Sequence, residues 1–260
     1  MLHNWCAVLV SCTAILFATV ISPDSNAQGL PDTIDRIRGS IVSVGTYQPT
    51  RRPPSLFVAT GFVVGDGTHV ITNSHALPRK LKLHLKEVLV VANNAGKSAY
   101  VAKVVATDPI HDVALLRFDG APFPALRLGD PESVREGELY AFTGFPIGEV
   151  LGLRPVTHRG IISSITPIAT PQLSSGPLDA AMIKALKNPY NVFQLDATAY
   201  PGNSGSPLYH TETGKVIGII NRVFVKRTKE AVLSDPSGIT YAIPIDHARA
   251  LLEEAGVRAD

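Results

Sequence analysis

The chain has 260 residues, 45% hydrophobic and 18% charged, which excludes a disordered protein and suffices for a buried core in one or two lobes. Its 24 basic and 22 acidic residues give a formal net charge of +2, too small to argue for nucleic acid or an anionic surface as partner. Gly 21 and Pro 20, few aromatics and many short Val/Ile/Leu runs favour an all-β body over a helical one.

Trp5 to Ile21 is an almost unbroken apolar run, followed by the small and polar residues Ser22 to Ala27. This pattern predicts a secretory signal peptide over residues 1–27, with Ser25 and Ala27 at the cleavage site. Met1 to Asn4 carries no Lys or Arg, so an uncleaved membrane anchor is the alternative, near the lower length limit for a span. Leu9-Val10-Ser11-Cys12 also has the form of a lipoprotein processing box, although the apolar run continues past it. Both cysteines, Cys6 and Cys12, fall in this segment, so the mature chain is expected to stand without disulfides. On this reading the mature protein is exported, periplasmic or secreted, with no stable membrane association.

Leu30 to Arg38 has the marks of a short helix, with Pro31 and Asp32 early and Gly39 as the stop. Strands are expected at Ile41–Tyr47, Leu56–Val64, His69–Thr72, Leu81–Leu85, Val88–Ala92, Tyr100–Thr107 and Val113–Phe118, with a hairpin turn at Gly65-Asp66-Gly67. Ala121 to Gly137 is turn-rich and joins two halves. A second group follows at Glu138–Thr143, Arg159–Ile165, Val192–Asp196, Pro207–Tyr209, Val216–Phe224 and Ile239–Ile243. An insertion over 166–191 contains helical spacing from Pro177 to Lys187, as a structural cover or as a lid over the site. Asp246 to Ala255 closes the chain as a helix with Asp246 as its N-cap. Two consecutive strand sets without intervening helices predict two packed barrels or sandwiches, residues 28–125 and 126–260, rather than a parallel sheet.

A serine hydroxyl attacks well only when a base takes its proton, and that base needs a third group to fix its tautomer. Ser204 sits in Gly202-Asn203-Ser204-Gly205, where two glycines permit a tight turn that projects the hydroxyl and gathers backbone N–H groups. Those of Gly202 and Ser204 are the candidate oxyanion donors. By itself such a turn is as readily only a turn. His75, at the end of a strand, is the candidate base, and Asp112, before the apolar run Val113-Ala114-Leu115-Leu116, the candidate acid. Asp108 is the runner-up acid, although Asp108-Pro109 has the look of turn chemistry. His69, His84, His111, His158, His210 and His247 are less well placed and are expected to be solvated or packed.

The order His75, Asp112, Ser204, each in its own motif, resembles the trypsin-like (chymotrypsin-fold) serine peptidases, and in detail the bacterial HtrA-type protease domain. Thr72-Asn73-Ser74-His75 is similar to that family's histidine motif, Asp112-Val113-Ala114-Leu115-Leu116 to its aspartate motif, and Asp196 through Gly205 to its serine motif. Gly144 to Gly148, Gly160 to Ser163, Val216 to Ile219 and Tyr241 to Pro244 match further segments in order, so the likeness spans nearly the whole mature chain. The resemblance implies two six-stranded antiparallel β-barrels, His75 as general base and then acid, Asp112 as its orienting partner, Ser204 as nucleophile, and Gly202 and Ser204 as oxyanion donors. It also implies a primary specificity pocket lined by Thr198, Asn221, Arg222, Val223 and Ile239. None of these is acidic, so cleavage after small or medium apolar residues is expected rather than after Lys or Arg. Ser206 replaces the family's usual second glycine after the nucleophile, and no PDZ domain is expected after the closing helix.

The resulting expectation is a serine endopeptidase that works on unfolded polypeptides through an acyl-enzyme. A catalytically latent double barrel that binds extended peptides or a protein partner is the alternative. An esterase on the same triad is weaker, because its usual sheet needs βαβ units that this chain lacks. No phosphate loop, zinc-ligand spacing or dinucleotide fingerprint occurs, so neither metal nor other cofactor is expected. Polypeptides are the expected partners, with no nucleic acid.

Overall fold

The structure, a computed structural model, describes residues 29–93, 98–146, 153–168, 189–221 and 238–259. The expected signal peptide, the helix over 177–187, and the end of the strand expected to run to Phe224 lie outside these residues. Helix α1 (Leu30–Ile37) leads into six strands, β1 (Ile41–Tyr47), β2 (Ser55–Val64), β3 (His69–Thr72), β4 (Val88–Asn93), β5 (Ser98–Asp108) and β6 (Val113–Phe118). They close an antiparallel barrel in the order β1-β2-β3-β6-β5-β4. Six more, β7 (Leu139–Gly144), β8 (Val156–Pro167), β9 (Asn191–Asp196), β10 (Pro207–His210), β11 (Val216–Asn221) and β12 (Ile239–Pro244), close a second in the order β10-β11-β12-β9-β8-β7. Helix α2 (Asp246–Glu254) is the last helix or strand among the described residues, which run on to 259. Among the described residues no helix is long and apolar enough to cross a membrane.

The apolar pattern explains how the barrels are filled and joined. Val42, Val44, Val63, Val70, Leu116 and Phe118 point into the first barrel, while Phe142, Ile162, Leu195, Leu208 and Ile220 fill the second. Their strand neighbours Ile41, Phe62, Ile71, Leu115 and Ile219 point the other way, into a third cluster with Tyr209 and Leu252. Successive side chains leave opposite faces of a strand, so a strand buried on both faces shows a continuous apolar run rather than alternation. Val113-Ala114-Leu115-Leu116 is such a run. Each fully buried Leu, Ile or Phe contributes about 1.5–3 kcal/mol.

Two local expectations are overturned. Leu81–Leu85 is not a strand; a 3-10 turn occupies Leu83–Leu85 and ends at Lys86, whose φ is 57°. Leu83 is 73% exposed, so the Leu/Lys alternation there faces no core, and His84 lies on the turn rather than on a strand. Asp246 is the first residue of α2 and not its cap, a position that Ile245 takes, and its carboxylate instead accepts from Arg249 Nη1 at 2.6 Å. The Gly65-Asp66-Gly67 turn forms with φ of 61° and 85° at its glycines, values that a side chain makes costly.

Thr60 on β2 ties the barrels together. Its N–H donates to Ser204 O at 2.9 Å, its hydroxyl donates to Gly202 O at 2.7 Å and accepts from Phe145 N–H at 3.0 Å, and its carbonyl accepts from Thr72 Oγ1 at 2.7 Å. Thr60 is fully buried, so these groups have no water to fall back on. Thr60→Val keeps the shape and removes the hydroxyl, stranding the Gly202 carbonyl and the Phe145 N–H. Urea unfolding is expected to show a stability loss of about 2 kcal/mol or more.

Candidate active site

The site is built around Asp112, which sits at φ 54°. That left-handed conformation is uncommon outside glycine, though Asp tolerates it, and here it is held by hydrogen bonds. The Asp112 carbonyl accepts from Ser74 N–H at 3.3 Å and from Asn73 Nδ2 at 3.0 Å, which ties Asp112 to the segment that leads into His75. Its carboxylate then takes four donors. Oδ1 accepts from Ser74 Oγ at 2.7 Å and His75 N–H at 2.8 Å, and Oδ2 faces His75 Nδ1 at 2.5 Å and Asn221 Nδ2 at 2.8 Å. An ionised carboxylate only accepts, so Nδ1 of His75 carries the hydrogen and Nε2 is left with a free lone pair.

Ser204 comes from the other barrel, on the turn after β9. Positive φ at Gly202 (98°) and Gly205 (84°) bends this turn, and a Cβ on Gly205 would stand 2.1 Å from Thr60 O. Asn203 N–H donates to Tyr200 O, Gly205 N–H to Ile220 O and Ser206 N–H to Asn203 O. The N–H groups of Gly202 and Ser204 have no partner among the described residues. Ser204 itself is only 7% exposed, and its hydroxyl makes no hydrogen bond to His75 or to any other group among the described residues. Catalytic contacts of this kind are often loose until substrate arrives. Ser206 fits because residue 144 is glycine: a Cβ there would lie 2.1 Å from Ser206 Oγ.

The residues expected to line a specificity pocket are only partly described. Thr198 is half-buried, Ile239 is 45% exposed at the start of β12, and Arg222 and Val223 lie outside the described residues. Asn221 is buried and its carboxamide is on Asp112, a role that its place among pocket residues did not suggest. A lone amide ending the apolar run Val216 to Ile220 was the available signal. Thr60 gave none, since a threonine in a strand is ordinary.

Asp108 serves its own turn. Its Oδ1 accepts from Ile110 N–H at 3.0 Å and His111 N–H at 3.2 Å, and its Oδ2 faces His111 Nδ1 at 2.5 Å. The His111 ring stacks on His247 of α2 at 3.7 Å between centroids, and Tyr190 meets the two rings edge-on at 4.7 and 5.0 Å. This packing joins α2 to the loop that carries Asp112. Burial pushes the Tyr190 phenol up, with the charges of Asp112 and Asp108 adding to it. Among the described residues no group of acids, histidines or cysteines could hold a metal ion.

Residues 59–219 match the family model described as a trypsin-like peptidase domain. A probable periplasmic serine endoprotease, DegP-like, of Pseudomonas putida is 31% identical over 193 residues, covering 74% of this chain and 33% of that protein. Its counterpart in Halomonas elongata is 30% identical over 197 residues, 76% of this chain and 35% of that protein. The chain thus spans about a third of the length of the curated relatives it matches. Among solved structures, the HtrA-type protease AlgW with tripeptide shares the fold at a TM-score of 0.62 and 23% identity, over 86% of this chain and 62% of the other.

Acid should loosen the Asp108 corner. Burial first, then the neighbouring His111, lower the pKa of His247 from 6.5 to about 4, against the opposing pull of Asp108. Between those two values the unfolded chain takes up a proton that the folded chain refuses, so stability falls as the pH is lowered through that window and is fully present above it. Thermal melting is expected to show this loss, and His247→Phe to flatten it.

Proposed function

Because the chain belongs to the trypsin-like peptidase domain family, we propose that it is an exported serine endopeptidase acting on unfolded polypeptides. The observation that carries this reading is the hydrogen bond from His75 to Asp112, supported from the opposite barrel by Asn221. On this reading His75 Nε2 takes the proton from Ser204 Oγ as the hydroxyl attacks the scissile carbonyl. Asp112 stabilises the imidazolium that forms, and the N–H groups of Gly202 and Ser204 receive the oxyanion. His75 then gives its proton to the leaving amine. Water takes the amine's place, is deprotonated by His75, and hydrolyses the acyl-enzyme.

Asn221 is a positioning residue in this scheme, acting on Asp112 and not on substrate. The family resemblance assigns Thr198, Ile239, Arg222 and Val223 to the residue before the cleaved bond, and their side chains are neutral or basic. Cleavage after small or medium apolar residues follows on this reading, since none of Thr198, Asn221, Arg222, Val223 and Ile239 is acidic and able to pair a buried Lys or Arg.

The latent reading draws on one feature, the absence of a bond from Ser204 Oγ to His75 among the described residues. Incubation with unfolded casein and labelling with a fluorophosphonate test both readings. Cleavage and label that vanish in Ser204→Ala support the peptidase. Absence of both at neutral pH, with and without added peptides, would favour the latent module.

Asp112→Asn keeps the shape but puts a donor where one carboxylate oxygen accepts, which reverses the tautomer that His75 needs, and is expected to lower kcat roughly 10^4-fold. Asn221→Leu removes one donor to a carboxylate, worth about 1.5–3 kcal/mol. Its kcat should fall at least roughly tenfold with KM little changed, since the residue orients Asp112.

A further inference from the structure

The segment that leaves the catalytic histidine is strongly and one-sidedly charged. Ala76 and Leu77 pack against the core of the first barrel, and the chain then crosses to β4 through Arg79, Lys80, Lys82 and Lys86, all exposed. None of these four cations has a carboxylate within 4.0 Å among the described residues. The one acid beside them, Glu87, is already spent. Its Oε1 takes Arg51 Nη1 at 3.0 Å and Thr46 Oγ1 at 3.0 Å, and its Oε2 takes Lys82 N–H at 3.0 Å. That anchor ties the root of the segment to the 48–54 loop, where exposed Arg52 follows Arg51 in the chain. With a whole-chain net charge of only +2, this concentration is local and not a diffuse basicity.

We propose that Arg79, Lys80, Lys82 and Lys86, with Arg52, form a docking strip for acidic residues of the substrate polypeptide on the C-terminal side of the cleaved bond. The proposal rests on the peptidase reading and deepens it. The side follows from the chemistry: His75 protonates the leaving amine, so the departing segment lies against His75 and the chain that follows it. Backbone spans at most about 3.6 Å per residue, which puts Arg79 within about 14 Å of His75. An extended peptide rises about 3.3 Å per residue and reaches the strip within about four residues of the bond. The interleaved side chains are Leu81, Leu83, His84 and Leu85, three aliphatic groups and one imidazole with no Phe, Tyr or Trp to build a run of base-stacking platforms, so the strip suits a polypeptide better than single-stranded nucleic acid.

Three matched peptides test this, each with a small apolar residue before the cleaved bond and Glu, Gln or Lys at the second to fourth positions after it. Wild type at about 20 mM salt is expected to favour Glu over Gln roughly three- to tenfold in kcat/KM, as a few exposed ion pairs allow, and to lose the preference near about 0.5 M. Arg79→Glu/Lys80→Glu/Lys82→Glu/Lys86→Glu should invert the order, and Arg79→Gln/Lys80→Gln should weaken it. Lys103→Glu, on β5 beside Asp119, should leave the ratio as it is. Equal rates for Glu and Gln in wild type, or a preference that survives charge reversal, overturn the proposal. So does strip-dependent binding of phosphatidylglycerol vesicles or duplex DNA without any peptide preference. Affinities of the same peptides for Ser204→Ala separate the two claims: an acidic preference in binding without turnover in wild type would sink only the peptidase reading.

Discussion

Everything in the site depends on how one threonine spans the seam between the barrels. The candidate nucleophile and its candidate base sit on different barrels, so their separation is set by whatever fixes one lobe against the other. Apolar packing alone is non-directional and tolerates sliding. Thr60 supplies direction, because its N–H, hydroxyl and carbonyl are all bound, two of them to the turn that bears Ser204. Gly205 and Gly144 are tied to the same spot, since a Cβ on Gly205 would meet Thr60 O and one on Gly144 would meet Ser206 Oγ and Thr60 Oγ1. A buried donor or acceptor without a partner is expensive, so any shift of the seam breaks several bonds at once. The apolar cluster supplies the adhesion and Thr60 the registration.

Asp112 shows the same division of labour at the level of charge. Four donors converge on its carboxylate from Ser74, His75 and Asn221, three from its own barrel and one from the other. Half-buried, it needs that many partners to remain an acceptor that holds an imidazole in one tautomer. Asn221 therefore makes the geometry of the acid sensitive to the second barrel as well. The neighbouring pair of Asp108 and His111, stacked on His247, fastens the same loop to α2. A loop held at both ends in this way presents Asp112 at a conformation that most residues avoid.

Most of the strands were legible because twelve short apolar runs bounded by turn residues have few other ways to bury themselves. The failure at Leu81–Leu85 has a plain cause: alternation of Leu and Lys specifies a strand only where a sheet offers a face to pack on, and Leu83, largely exposed on its 3-10 turn, meets none. The Asp246 error is smaller. A carboxylate at a helix start serves as well by bonding Arg249 one turn on as by capping, and pattern alone does not choose. The basic segment was invisible in composition because acids elsewhere cancel it in the net charge.

What the sequence determined by itself was the set of elements and the identity of the reactive candidates. Ser204 between two glycines, His75 at a strand end and Asp112 before a buried strand follow from local rules of backbone freedom and burial. Their assembly was decided only in three dimensions. No local rule says that Thr60 braces the Ser204 turn, that Asn221 turns from a pocket toward Asp112, or that glycine at 144 makes room for Ser206. Each is a contact between residues far apart in the chain, set by the closure of two barrels, and closure is a property of strand order and stagger that no single segment carries.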